Sequence, residues 1–481
     1  MLSWWTGGIV LVATLALFVW IGLRTRLAGR DVEDYVVARG SQGSLTLALS
    51  FMASGMGAWI LFTPPEVGAT VGIDGVAGYA IASALPMVAF ALLGRRVRRV
   101  VPSGHALTEF VRLRYGPGFH GYVVGVSVLY MVIFVTAELT AIGGASAVLA
   151  DLDARVVIVA VAAATLGYTA YGGLRASLRT DRWQAWFIFA LLGVAALAVF
   201  WSMDREAARP EAQHLLGVDA GGIEVAVTLV IAVVAANLFH QGYWQRVWAA
   251  RDLSALYRGA GLAAVMVIPV VAVIGAIGVF AARTGAELGS PPVPFFAVLG
   301  GLPGWLSAVA MIFGLSLVTS SVDTLENALA SLVVTERRTL SLAWARAVTV
   351  LLLIPAIVVA IQGYSVLRIF LIADLLCAAT VVPALLGLWS RATVAGALAG
   401  SLAGLAGAIV PGWVATGSAA RGVLLATFPG GVPTLPPFLG ALLASAVITV
   451  VVSLFGRTAA DVEGLDSRVP ALGAAGPRQG G

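Results

Sequence analysis

Lysine is absent from the 481-residue sequence, and all 29 basic residues are arginine. That bias reads as genome composition and carries no functional weight. Cysteine occurs once, at Cys377, which excludes an internal disulfide and any cysteine-rich metal site and leaves core packing as its expected role. Charge is scarce: Asp, Glu, Lys and Arg make up 11% of residues against 60% hydrophobic, and mean hydropathy is +0.97. A soluble domain has too little polar side chain to coat that much apolar surface, so the composition is that of a polytopic, all-α membrane protein. The net charge of +5 forms neither a stripe nor a tail, which argues against nucleic acid as a partner. The charges cluster between apolar runs, as membrane topology requires. No P-loop or nucleotide fingerprint is present, so ATP is not the expected power source. The four histidines, at 105, 120, 214 and 240, have no metal-ligand spacing, and no nucleophile–base pattern suggests an enzyme. At the N-terminus the arginines follow the apolar run and no small-residue cleavage site is visible, so a retained first span is expected rather than a signal peptide.

Thirteen apolar runs long enough to cross a bilayer can be placed between residues 4 and 456, among them 44–64, 156–172, 184–203, 222–243 and 304–335. An odd number puts the termini on opposite sides. Alternate loops then receive 23 of the 29 arginines on one side, which makes that side cytoplasmic. The N-terminus is expected outside and the C-terminus inside, in an integral plasma (inner) membrane protein. The C-tail, 457–481, is rich in Gly, Ala and Pro and is expected to be mobile. Gly396, Gly400 and Gly404, at four-residue spacing in the twelfth run, predict close helix packing.

The stretch "SFMASGMGAW" at 50–59 places Ser54, Gly55 and Gly57 halfway along the second span. In hydrocarbon every backbone N–H and C=O needs a partner, so a helix weakened there persists only if something takes up the freed carbonyls. A small cation is suited to neutral oxygens. Matching oxygens stand on the ninth span, where Thr319, Ser320 and Ser321 sit near its centre, although Ser and Thr in such helices also bond their own i−4 carbonyls. Asp323 and Glu326 follow within a turn. Ionisable groups in a span are costly enough to suggest function, unless they face a cytoplasmic vestibule. A second interruption, "AANLFHQGYWQR", falls in the seventh span, five after the second. Two broken helices of opposite direction at that offset mark an inverted repeat with the site between its halves.

At these residues the sequence resembles the sodium:solute symporter family, over about residues 1–456. The motifs are "ASGMGAW" at 53–59, "YTAYGGLRASLRTDRWQ" at 168–184 and "TSSVDT" at 319–324. The resemblance implies a core of two inverted five-helix repeats with broken first helices. Residues 1–43 would form the first helix and a loop, 44–203 the first repeat, 222–389 the second, and 390–456 two further helices. It implies a sodium site from the backbone carbonyls of Ala53, Met56 and Leu317 with the hydroxyls of Ser320 and Ser321. Asp181 would lie on the sodium exit path, and Asp323 and Thr324 would join it in any second cation site; an acid at 323 departs from the hydroxyl that two-ion members carry. Proline-transporting members carry an acid at the position of Gly55, which argues against that substrate. Trp59 matches an aromatic lining the solute pocket, and "HQGYWQR" is similar to a stretch in urea-transporting members.

Glu138, central to the fourth span, is a candidate for a cationic group of the solute, a proton, or a structural hydrogen bond. His240 and Gln241 are candidate solute contacts. Asp374 either lines the pore or pairs with Arg368. The expected function is sodium-coupled uptake of a small polar solute, with urea, an amino acid, an organic acid and a sugar all open. The alternatives are proton-coupled or uncoupled transport using Glu138 or Asp323, and a transport-inactive solute sensor.

Overall fold

The computed structural model describes residues 2–23, 36–202, 210–289, 292–299, 303–336, 342–430, 432–456 and 460–469, with the backbone alone at some positions, chiefly within 170–202. All regular structure among them is helical. In chain order the helices are α1 (Trp4–Leu23), α2 (Ser44–Gly55), α3 (Thr63–Thr70), α4 (Ile73–Val100, with a π-turn over Phe90–Gly94), α5 (Leu107–Tyr115), α6 (Pro117–Ala150), α7 (Ala154–Ser202), α8 (Ala220–Asn237), α9 (Gln241–Ala249), α10 (Leu253–Thr284), α11 (Pro294–Leu299), α12 (Gly304–Glu336), α13 (Leu342–Ala360), α14 (Val366–Leu385), α15 (Val394–Thr416), α16 (Ala419–Leu425) and α17 (Leu435–Leu454). Among the described residues nine helices are long and apolar enough to cross a bilayer. One further pair, α2 with Ala58–Thr70, meets the same test but bends by 62° at its break.

Both expected interruptions are present. After Gly55 the chain is extended at Met56 (φ −100°, ψ 92°) and Gly57 (φ −94°, ψ −173°), makes a 3₁₀ turn over Ala58–Leu61, and re-enters a helix at Thr63. Pro64 and Pro65 occupy the first turn of α3, where the missing N–H costs nothing. The second break spans Leu238–His240, between α8 and α9, and the His240 ring accepts the Gly242 N–H at 3.1 Å to start α9.

Two placements differ from the sequence expectation. Residues 173–183, expected as a loop between two spans, are helical within the 49-residue α7. Charges mark the end of an apolar run, but this stretch has no proline and carries three Arg and two Leu, which form helix well. The count of thirteen spans is therefore not reproduced. The segment from Gln241 to Ala249, whose end was counted as a cytoplasmic loop, is buried along its whole length.

The core gathers around α12, where every residue from Phe313 to Leu332 is buried. A helix enclosed on all sides has no lipid-facing stripe, so its hydroxyls and acids face other protein. α15 and α17 pack antiparallel through glycine. A Cβ at Gly396 or Gly400 would meet Ser453 and Thr449, and one at Gly404 would meet Ala379 and Ser445, as the four-residue spacing implies. Of the C-tail, residues 460–469 dock on the body: the Ser103 N–H donates to Asp466 at 2.8 Å, and Leu465 is buried. Residues 470–481 lie outside the described residues.

Candidate functional site: the two helix breaks

The α2 break exists because two glycines permit close approach. A Cβ at Gly55 would collide with the Tyr243 hydroxyl, and a Cβ at Gly57 with the carboxylate of Glu138. Glu138 is fully buried on α6 and accepts the Ala58 N–H at 2.6 Å. It therefore satisfies a donor that the unwinding exposes, as an acid does at a helix N-terminus. Of the carbonyls expected to hold sodium, that of Ala53 receives only a long 3.3 Å bond from the Met56 N–H. Ser320 and Ser321 are both buried on α12. The Ser320 hydroxyl donates to Asp181 at 3.0 Å, which leaves its lone pairs for another partner. The Ser321 hydroxyl lies beside the Glu138 carboxylate, outside good hydrogen-bond geometry. A buried, unpaired hydroxyl beside an unwound helix is costly unless a ligand uses it. The neutral donor set fits a hard monovalent cation.

Asp181 does more than flank this position. It is completely buried and receives bonds from Ser50 at 2.7 Å, Ser54 at 3.1 Å and Ser320, and it forms an ion pair with Arg246 at 2.8 Å. Arg246, on α9, is itself fully buried. Its Nε donates to Ser50 at 2.7 Å, its Nη1 to the Gly242 carbonyl at 2.7 Å, and its Nη2 also to Ser54 and, at 3.4 Å, to Thr324. Asp323 and Glu326, which a cytoplasmic vestibule would have exposed, are buried. Asp323 accepts the Tyr168 hydroxyl at 2.8 Å and Glu326 the Thr165 hydroxyl at 3.0 Å.

Beside the α2 break lies a small cavity of about 50 Å³. Its walls are largely aromatic: Trp59 stacks on Tyr79 with ring centres 5.8 Å apart, Phe370 meets Phe134 edge-on at 4.9 Å, and Tyr130 completes the ring. The one acid on its wall is Asp374, which has no hydrogen bond or ion pair among the described residues. Arg368 does not pair with it and donates instead to the Thr427 carbonyl at 3.0 Å. Of the four residues expected to contact solute, Trp59 lines this cavity. Glu138 lies at the break. His240 stacks on Tyr243 at 4.6 Å behind the wall, and Gln241 donates to the His105 carbonyl at 2.9 Å. Tyr79, Tyr130, Phe134 and Phe370 went unnoticed in the sequence because they stand on three different helices. Arg246 went unnoticed because an arginine closing an apolar run reads as a topology anchor.

The sodium:solute symporter family model matches residues 35–404. The chain belongs to the sodium:solute symporter family. Its relatives include Spermidine transporter DUR31 of Candida albicans, 31% identical over 74% of this chain and 70% of that one, and the Urea active transporter of Saccharomyces cerevisiae, 26% identical over 58% and 41%. Urea-proton symporter DUR3 of Oryza sativa is 25% identical over 79% of this chain and 59% of its own length. The aligned part thus covers less than two thirds of the yeast and rice transporters. Among solved structures, a Na⁺-coupled sialic acid symporter in a substrate-bound outward-open state superposes with TM-score 0.70 at 15% identity, over 94% of this chain and 98% of that one. A nucleobase-cation-symport-1 family transporter gives 0.58 at 13%, over 91% and 99%. This symporter-family chain therefore has an all-helical transporter fold spanning the membrane.

Proposed function

We propose that this family member carries a small organic ammonium solute into the cell together with one sodium ion, from a membrane position with its N-terminus outside and its C-terminus cytoplasmic. The observation that carries the solute class is Asp374, a buried acid without a partner on the wall of an aromatic cavity. An unpaired carboxylate there is costly until a cation neutralises it, and ring faces attract the same cation. Glu66, on α3, is also buried, one turn beyond Thr63, whose hydroxyl meets that of Tyr79 on the cavity wall at 2.7 Å. The relative named for spermidine transport is in keeping with this reading.

Sodium is supported by the neutral oxygens at the break and by the unpaired Ser321 hydroxyl. An ion bound there bridges α2 to α12, stabilises one arrangement of the two helices, and so closes the adjoining solute cavity. Its effect on the equilibrium is limited to its difference in affinity for the two arrangements. Ser321→Ala raises the sodium concentration for half-maximal uptake about tenfold, the loss of one coordinating oxygen worth about 1–1.5 kcal/mol; unchanged sodium dependence in proteoliposomes removes the site.

Proton coupling is the second reading, favoured by the unpaired Oε1 of Glu138 and by the relative named as a urea–proton symporter. Uptake of labelled amine and of labelled urea, driven by a sodium gradient alone and by a pH gradient alone, separates the two. The proposal expects amine uptake under sodium. Glu138→Gln keeps an acceptor for the Ala58 N–H, so under sodium coupling it leaves uptake within about threefold, whereas proton coupling through Glu138 loses concentrative uptake altogether.

A further inference from the structure

The last turns of α4 carry four arginines, and they are not alike. Arg98 donates to the Val247 and Ala250 carbonyls, both at 2.8 Å, and so fastens α4 to the end of α9. Arg95, Arg96 and Arg99 have no hydrogen bond or ion pair among the described residues. They stand at i, i+1 and i+4 on one side of the helix, where like charges repel. The Nε of Arg95 is enclosed and unpartnered, which is costly until an acceptor arrives. All three line a cavity of about 1020 Å³ shared with the docked tail, whose Asp461 and Glu463 also line it. Neither acid forms an ion pair with these arginines among the described residues. A groove of about 740 Å³ adjoins this cavity. Its walls are Leu, Val, Ile and Ala throughout, from α4, α8, α17 and the end of α14, and Leu92, Leu93, Leu385 and Leu386 line both spaces. Along α4 the groove begins at Leu85, ten residues before Arg95. At the helical rise that is about 15 Å, roughly the hydrocarbon depth of one leaflet. Acyl chains touch any apolar membrane surface. This groove differs in that its polar end gathers three unpaired cations and two acids into one space.

We propose that the groove and the cavity together hold one membrane phospholipid of the ethanolamine type. An acyl chain lies along the groove, the phosphate sits on Arg95, Arg96 and Arg99, and the ammonium turns toward Asp461 and Glu463. Guanidinium forks suit phosphate oxygens, and basic pockets between membrane helices bind lipid headgroups. A purely anionic headgroup satisfies the arginines but sets its charge against the two acids. An ethanolamine headgroup meets both signs. A lipid so placed touches α4, α8, α14, α17 and the tail at once. None of its contacts lines the solute cavity or belongs to the ion position, so the ion and solute assignments do not bear on it.

Native mass spectrometry of the delipidated protein reads this directly, in detergent titrated with phosphatidylethanolamine, phosphatidylglycerol and phosphatidylcholine of matched chains. Wild type is expected to retain one phosphatidylethanolamine about tenfold more tightly than either other lipid. Replacing Arg95→Gln, Arg96→Gln and Arg99→Gln together lowers that affinity by about tenfold or more. Asp461→Asn with Glu463→Gln leaves a lipid bound but moves the preference to phosphatidylglycerol. Val234→Trp fills the groove and weakens all three lipids alike. Inorganic phosphate and glycerophosphoethanolamine, offered at the same concentrations, leave the lipid in place, because neither enters the groove. The proposal is overturned if wild type holds phosphatidylglycerol or phosphatidylcholine as tightly as phosphatidylethanolamine. It is equally overturned by undiminished binding in the triple arginine variant or in Val234→Trp, and by displacement of the lipid with inorganic phosphate, which would mark an ion site only. Arg96 and Arg99 are exposed and Arg95 is half-buried, so the triple variant is expected to fold; where it does not, the wild-type preference among the three lipids decides.

Discussion

Asp374→Asn weakens the apparent affinity for an ammonium solute by about 10- to 100-fold, the equivalent of losing a charge-assisted contact of about 1.5–3 kcal/mol. The replacement has nearly the same shape, and Asp374 holds no hydrogen bond or ion pair among the described residues, so the fold is not asked to change. Removing an unpaired buried charge should even raise the thermal midpoint of the solute-free protein. The loss should therefore appear in KM for the amine while half-saturating sodium stays within about twofold, because the ion position lies across the break. A neutral solute provides the contrast: urea gains or holds affinity in the variant, since it has no charge to lose. Concentration series of amine and urea uptake in one vesicle preparation check this. Equal affinity of wild type and variant for every amine tested would remove Asp374 from recognition and with it the proposed solute class. Trp59→Ala should show a smaller loss, about 0.5–2 kcal/mol, if the ring acts through cation–π attraction.

Gly57→Ala is expected to be strongly damaging to transport. The new methyl group has no free space, because the Glu138 carboxylate occupies it, and Glu138 cannot swing away without abandoning the Ala58 N–H. The variant must either reshape the break or orphan a buried donor, costs of about 1–3 kcal/mol each. Transport should fall to background, and the midpoint of unfolding in detergent should drop by several degrees. Pairing it with Glu138→Ala separates the causes. The smaller side chain makes room for the methyl group, so the double variant should be less impaired than the sum of the two single ones, with a coupling of about 1 kcal/mol or more. Strict additivity would mean that the two residues do not meet as described. The dihedral angles of Gly57 are open to any residue, so the effect comes from crowding and not from backbone conformation.

Sequence reasoning located both interruptions because glycine, serine, asparagine and histidine stand out against an apolar run. It located the Ser320–Ser321 pair for the same reason. It could not read which oxygens were already engaged. Asp181 and Arg246 lie 65 positions apart, Ser54 and Thr324 lie 270 apart, and nothing in one chain announces that such residues meet. The aromatic wall was illegible on similar grounds. Trp59 follows the break, Tyr79 is on α4, Tyr130 and Phe134 are on α6 and Phe370 is on α14, and in its own span each is indistinguishable from ordinary packing. The helical course of 173–183 was hidden by charge, which signals the membrane surface but not whether the chain turns there.

The break at Met56 and Gly57, with the helical turn that precedes it, supplies the proposed ion position mainly with main-chain oxygen, whereas the neighbouring cavity is walled mainly by side chains. Point substitutions reach these two halves unequally. A codon change at Ala53 or Met56 leaves its carbonyl in place, but one at Asp374, Trp59 or Phe370 rewrites the cavity at once. A scaffold made this way is free to exchange cargo over evolutionary time while its drive is held nearly constant, and an engineer seeking a new cargo should begin at the cavity wall and leave the uncoiled segment untouched.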